Sequence, residues 1–415
     1  MGSVTPNRTA FSTCANRAEE HPTVIDVSGL IQARQAGWIA RRRELHQHPE
    51  LGFNEIRTAG IVASELARLG LEVQTGIGRT GVVGILEGAG DGPTVLVRAD
   101  MDALPVHEEN GVDYISQHPG VMHACGHDGH TTIALAVAEV LSEHRAQLNG
   151  RVKFVFQPAE EIALGASAMI EDGALLNPAP DVALGLHLWN ELPLGTVGIT
   201  DGAVMAGASD FTLTVTGQGG HGGLPHETRD PILAASQIVT ALQSIVSRNV
   251  KPTDVAVISV TSFQAGEAFN VIPPSAALRG TVRTLSTAVR DLVERRMGEV
   301  AQNIAEGMGC TVDFDIQHLT PPVTNAKAIN DHLRRVFAEA TPDLQLVNDY
   351  VTMAAEDMAF FLNAVPGAFF LVGSSNPARG LDYPHHHPRF DFDEAAIPLA
   401  VRLMTAAVAS YVIPG

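Results

Sequence analysis

The chain is short of aromatic residues (5%), of positive charge and of cysteine. Its 27 lysines and arginines face 46 aspartates and glutamates, a net charge of −19. So acidic a chain lacks the basic surface that nucleic acid or an anionic membrane requires, and neither is expected as a partner. The three cysteines, Cys14, Cys125 and Cys310, are scattered and odd in number. They offer no disulfide framework, so a reducing, cytoplasmic setting is expected. No apolar run approaches the ~18 residues of a membrane span. The N-terminal MGSVTPNRTAFSTCANRAEE does not read as a signal peptide, and Pro6 stands where a myristoylation signal places Ser or Thr. By composition the first 25 residues read as a loosely held tail.

What is present is length and apolar content. At 415 residues and 45% hydrophobic, the chain can fill more than one core, and two domains are expected. Residues 28–48 and 57–69 read as helices, with Ser28 as a cap. Residues 82–86 and 94–97 read as strands separated by Gly90-Asp91-Gly92-Pro93. Residues 131–141 form an apolar, Ala-rich helix, and 152–156 and 182–186 are apolar strands. This alternation predicts an α/β fold: a mostly parallel sheet with helices on both faces. From about residue 206 the texture changes. Strands 210–216, 255–263, 277–284 and 311–316 interleave with helices 231–247 and 289–308, which predicts an inserted α+β domain with an antiparallel sheet. Helices 327–340, 355–363 and 394–412, with strand 368–372, complete the first domain. The expected division is a tail 1–25, a first domain 26–205 and 321–415, and an insertion 206–320.

The densest chemistry lies in Met122-His123-Ala124-Cys125-Gly126-His127-Asp128-Gly129-His130. Thiolate and imidazole two residues apart suit a borderline-soft cation such as Zn²⁺. Other polar groups fall at the carboxyl ends of predicted strands, where α/β enzymes hold their chemistry. They are Asp100 and Asp102 in RADMDALP, Glu160 and Glu161 in QPAEE, and His187 after 182–186. A further cluster, His385-His386-His387, stands near the C-terminus. Taken singly, these are also read as turn aspartates, a solvated helix start, a core histidine and a solvated loop. Their convergence favours a metal site, with one carboxylate of an adjacent pair on the cation and the other handling protons.

With RELHQHPELGF, GLHLWN, GGHGGLPH, FNVIPPSA, RGTVRT, AAEDMAFF and HHPRFDFDE added in order, the chain resembles the metal-dependent aminoacylase and carboxypeptidase family. The branch it is most similar to is that of hippurate and indole-acetyl-amino-acid hydrolases, over about 30–410. The resemblance implies a zinc-peptidase-like catalytic domain that binds two divalent cations, zinc or manganese first, with cobalt or nickel also compatible. It implies metal ligands at Cys125, His127, Glu161, His187 and His386, with Cys125 bridging. His385 and His387 are then bystanders, and His123 and His130 supporting residues. Glu160 would be the general base. Asp102 would orient a ligand such as His127, while the roles of Asp100 and Asp102 stay open because the broader family has His in place of Asp100. The insertion would be a dimerisation and lid domain carrying His221, an oxyanion donor to the neighbouring subunit, and the substrate-contacting Asn270 and Arg283. Glu356-Asp357 reads either as a support behind the site or as a helix start, and the helix start is favoured. The implied reaction is hydrolysis of an N-acyl-L-amino acid by a homodimer or dimer-based oligomer. Three rival readings are an aminopeptidase or dipeptidase of the same family, a cysteine hydrolase using Cys125, and a non-catalytic metal-binding relative.

Overall fold

Apolar runs without polar alternation make strands that need cover on both faces, and here helices supply it. In the computed structural model, which describes residues 25–414, the chain divides into two compact units. One takes the chain as far as Gly202, with Thr324–Tyr350 and Asp357–Gly415; the other takes Ala203–Val323 and Val351–Glu356. Cys14 and residues 1–24 of the expected tail lie outside the described residues.

The first unit begins with α1 (Ser28–Gln47), α2 (Ile56–Arg68), β1 (Glu72–Ile77), β2 (Gly81–Glu87), β3 (Gly90–Asp100), α3 (His127–Glu143), β4 (Asn149–Gln157), α4 (Gly165–Glu171), β5 (Val182–Pro193) and β6 (Thr196–Gly198). After β7 (Gly202–Met205) follow β8 (Gly207–Thr216), β9 (Gly220–His221), α5 (Pro231–Arg248), β10 (Ala256–Gln264), β11 (Val271–Ile272), β12 (Ser275–Thr284), α6 (Thr287–Gly307) and β13 (Thr311–Thr320). Then come β14 (Val323–Asn325), α7 (Lys327–Ala340), β15 (Gln345–Val347), α8 (Met358–Ala364), β16 (Gly367–Ser375) and α9 (Ala396–Val412).

The large sheet runs β1-β2-β4-β3-β5-β16-β6-β15. Its centre is parallel, through β4/β3, β3/β5 and β5/β16. Antiparallel pairs flank that centre, β1/β2 and β2/β4 on one side and β16/β6 on the other. Val95, Val97, Phe154, Phe156 and Leu184 share one core with α3 and α9, whose Ala-rich turns are buried almost all round. On the other face α8 packs on β5 and β16, and α4 on β4.

Several local expectations need correcting. Gly90-Asp91-Gly92-Pro93 does not separate two strands but opens β3, where a register irregularity before Thr94 absorbs the glycines and proline. Ser28 does not cap α1: Val27 holds the cap position, and Asp26 accepts from the Ser28 N–H at 2.9 Å. His187 lies inside β5 rather than beyond its end, because the strand continues to Pro193.

The second unit is built on the antiparallel sheet β10-β12-β8-β13. Period-2 residues Phe211, Leu213, Val215, Leu278 and Val282 join Ile238, Leu242, Val293 and Met297 of α5 and α6 in its core. Asp230 caps α5, accepting from Ile232 and Leu233 N–H, with Pro231 in the first turn.

Candidate metal centre

In the first unit, loop ends bring the predicted groups together. Leu104 and Met122 exchange backbone hydrogen bonds at 3.0 Å, fastening the loop before α3 to the segment after β3. Gly126 then adopts φ 92°, a left-handed conformation natural to glycine, and α3 starts at His127. This turn sends Cys125 and His127 into one pocket. Opposite, the backbone N–H of His386 (φ 66°) donates to Ala124 O at 2.8 Å and brings in the C-terminal histidine.

Cys125 Sγ lies 3.5 Å from His187 Nε2. Glu161 lies between two imidazoles: Oε1 is 3.8 Å from His127 Nε2, and Oε2 is 3.3 Å from His386 Nε2. Donor atoms of Cys125, His127 and His187 fall within 4.8 Å of one another, as do those of Cys125, Glu161 and His386. Cys125 thus belongs to both sets. Donors sharing one tetrahedral zinc stand about 3.4–3.6 Å apart, given bonds of ~2.0–2.3 Å. The separations here are of that size.

The ring tautomers agree with ligation. His127 Nδ1 donates to Asp102 O at 2.9 Å, and His187 Nδ1 to Leu188 O at 2.7 Å, so both Nε2 atoms turn their lone pairs inward. His127 Nε2 and Glu161 Oε1 are buried without a hydrogen-bond partner. With the imidazole neutral these are two acceptors facing each other in the interior, and they call for a proton or a cation between them. Although burial opposes a charge on His127, Asp100, Asp102 and Glu161 push its pKa up to about 10, another sign that the pocket calls for positive charge.

Supporting groups fix this arrangement. Asp102 Oδ1 and Oδ2 accept from the N–H groups of Glu160 and Glu161 at 3.1 and 3.0 Å. Asp102 therefore holds His127 through its carbonyl and the carboxylate loop through its side chain. Asp100 accepts from His130 Nδ1 at 2.6 Å and Arg98 at 2.6 Å; burial opposes its ionisation, but His127, Arg98 and His130 hold it well below the usual range. His130 Nε2 takes the Leu188 N–H at 2.9 Å, so both its nitrogens are engaged. His385 stacks on Trp189, and His387 on Tyr383.

The comparisons with known proteins point the same way. The sequence pattern of Peptidase family M20/M25/M40 matches residues 96–410. The Bacillus subtilis protein YhaA is 44% identical over 371 residues, 89% of this chain and 93% of the relative. IAA-amino acid hydrolase ILR1-like 4 of Arabidopsis thaliana is 40% identical over 380 residues, 90% of this chain and 85% of the relative. The crystal structure of Bacillus subtilis YXEP, a dinuclear metal binding peptidase from the M20 family, superposes with a TM-score of 0.78 at 35% identity, covering 91% of this chain and 98% of that one.

The chain belongs to the M20/M25/M40 peptidase family. It is a metal-dependent hydrolase of that family's amidohydrolase and peptidase type.

In this M20-family chain the remaining predicted residues lie in the second unit. His221 is exposed on β9, and its Nδ1 accepts from Gly223 N–H at 2.9 Å. The pairing Val271↔His221, with Gly222 N–H donating to Asn270 O at 2.8 Å, brings His221 and Asn270 side by side. Arg283 stands apart on β12, half-buried, donating to its own strand at Thr281 Oγ1 and Val282 O. Burial lowers its pKa.

For Asp357 the structure favours the supporting role over the helix start, and sequence reasoning missed the parts played by Arg42, His46 and Glu55. Asp357 precedes α8 without capping it; its carboxylate accepts from Arg98 at 3.0 Å, Gln157 at 2.7 Å and Ala166 N–H at 3.0 Å. Behind the metal loop, fully buried Arg42 donates to Asp128 and Asp391 at 2.8 Å each. His46 sits between Asp128 at 2.8 Å and Glu108 at 3.1 Å. The missed signal was the four-residue spacing of Arg42 and His46 on one face of α1. The other missed residue is Glu55.

Proposed function

We propose that this hydrolase cleaves the amide bond of N-acyl-L-amino acids, with two divalent cations held by Cys125, His127, Glu161, His187 and His386 and with Glu160 as general base. Zinc or manganese suits the mixed thiolate, imidazole and carboxylate donors best, and cobalt or nickel are compatible. The observation that carries the proposal is the pair Glu160-Glu161. Glu161 is turned between His127 and His386, while Glu160 contributes an oxygen to the cluster of His127, Glu160 and Glu161 donor atoms. Bound cations supply Lewis acidity to the acyl oxygen and acidify water. Glu160 takes the proton of the attacking water and returns it to the leaving amine. The Arabidopsis relative, named for amino acid conjugates, supports an N-acyl amino acid as substrate class.

The proposal extends to the second unit as a dimerisation and lid domain of a homodimer. His221 would donate to the developing oxyanion in the neighbouring subunit, with Asn270 and Arg283 contacting the substrate. The exposure of His221 and its fixed position beside Asn270 support this role.

The test strips metal with a chelator, adds back single metals, and screens N-acyl amino acids against free dipeptides. Turnover of N-acyl substrates restored by metal is the expected result; preference for a free α-amine assigns a dipeptidase instead. Glu160→Gln should retain its metal and lose about 10²–10⁴-fold in kcat. Unimpaired turnover removes Glu160 from the role.

A further inference from the structure

Glu55 occupies the cap position of α2 but does not cap it. Glu50 does so instead, accepting from Arg57 N–H at 2.9 Å and Thr58 N–H at 2.8 Å. With the helix end satisfied, the Glu55 side chain is turned elsewhere and is fully buried. Oε1 accepts from Phe53 N–H at 3.0 Å and from Ala159 N–H at 2.9 Å, 104 residues away in sequence. Oε2 accepts from the Thr80 hydroxyl at 2.5 Å.

The three anchor points share a property. Among the described residues, six non-glycine residues have positive φ. Three of them are at or beside the groups Glu55 holds: Phe53 (62°), Arg79 (78°) next to Thr80, and Ala159 (52°). The Arg79 guanidinium also lies 4.1 Å over the Phe53 ring. A side chain in the left-handed region costs about 1–3 kcal/mol and persists where surrounding contacts over-determine it. Glu55 supplies such contacts at each place.

Ala159 immediately precedes Glu160. Its N–H is held by Glu55, and its carbonyl accepts from Leu164 and Gly165 N–H at 3.3 and 3.1 Å. The next two N–H groups, of Glu160 and Glu161, are held by Asp102. Three successive peptide N–H groups are thus fixed by two buried carboxylates. Gly52 permits the close approach, since a Cβ there would stand 3.1 Å from Ala159 Cα.

We propose that Glu55 is a positioning residue for the Glu160-Glu161 loop: it holds Ala159 in its left-handed conformation and thereby sets where the Glu160 carboxylate stands. This rests on the reading of Glu160 as the base. A displacement of about 1 Å at such a group can cost ~10²-fold in rate.

The experiment compares Glu55→Gln and Glu55→Met, alone and with Glu160→Gln, measuring kcat, KM and bound metal. Gln keeps an oxygen for both N–H groups and offers an N–H to Thr80, so its kcat should stay within about tenfold of the parent. Met keeps the bulk and loses the acceptors. Its kcat should fall about 10²-fold, with KM within about twofold and metal stoichiometry unchanged. In the Glu160→Gln background Glu55→Met should add nothing. The inference is overturned if Met leaves kcat near the parent, if Gln and Met fall alike, if metal is lost with activity, or if the double variant multiplies the two losses. Should Glu55→Met not fold, Thr80→Val cuts one tie: a several-fold fall in kcat at constant KM is expected, and unchanged kcat overturns the inference. Full turnover by Glu160→Gln alone would remove the base reading whatever the Glu55 variants do.

Discussion

The metal pocket of the first unit and the His221 ribbon of the second carry comparable chemistry in opposite settings. In the pocket Cys125, His127 and His187 are buried, Glu160 and Glu161 partly so, and His386 is exposed, while the groups around them are held by several partners: Asp102 by three, Glu55 by three, Arg42 by a chain of carboxylates. The ribbon is a two-residue pairing with His221 exposed, Phe269 fully exposed, and Leu224 and Val271 nearly half-exposed or more. The difference teaches that one region is preorganised to hold charge, while the other leaves its groups open to solvent.

The largest test of that contrast is in the pocket. Cys125→Ala removes the donor common to both ligand sets, so metal analysis should find the site depleted and turnover at background. Full metal content would break the contrast. Next comes the ribbon: His221→Ala should lose about 10²–10³-fold in kcat while metal content and melting temperature stay put, since the residue is exposed and braces nothing buried. A drop in melting temperature would make the ribbon structural.

Smaller effects separate charge from packing. With its pKa pushed up to about 10, metal-free His127 carries a proton at neutral pH, and a cation must displace it. Apparent metal affinity should therefore fall at least tenfold per pH unit from pH 8 to 6, with protons released on binding from His127 and from the Cys125 thiol; a pH-independent affinity would sink this account. His46 gives a smaller effect. Burial and Arg42 oppose its proton, but Asp128 and Glu108 hold it, raising the pKa to about 9. A raised folded-state value stabilises fully below the unfolded pKa of ~6.5 and is lost as pH rises through about 9. Unfolding free energy should therefore decline by at most about 3 kcal/mol between those limits, and His46→Gln should flatten the decline. An unchanged slope in the variant would show that the proton sits elsewhere.

The sequence made the elements legible wherever periodicity governs. The helix predicted for 327–340 matches α7, and the strands predicted within β8, β10, β12 and β13 need only their ends adjusted. It failed where a side chain reaches far along the chain. The Glu55 partner is 104 residues off and is a backbone N–H, which leaves no residue type to recognise. Asp357 looked like a helix start because acidic residues favour such positions. In the fold its carboxylate instead closes a buried network with Arg98 and Gln157. The candidate ligands were legible because thiol, imidazole and carboxylate advertise their chemistry; the carboxylates that merely hold backbone do not.

The tie between His386 and Ala124 has a consequence in time. A nascent chain exposes Cys125 and His127 first, then Glu161 and His187, and His386 last of the five. The set of candidate donors is therefore incomplete until His386 has been made. Its closure waits on the same C-terminal segment whose helix α9 seals the first core. Chains cut short before that point would carry Cys125 and Glu160 without His386 or α9, and are expected to be inert rather than loose hydrolases.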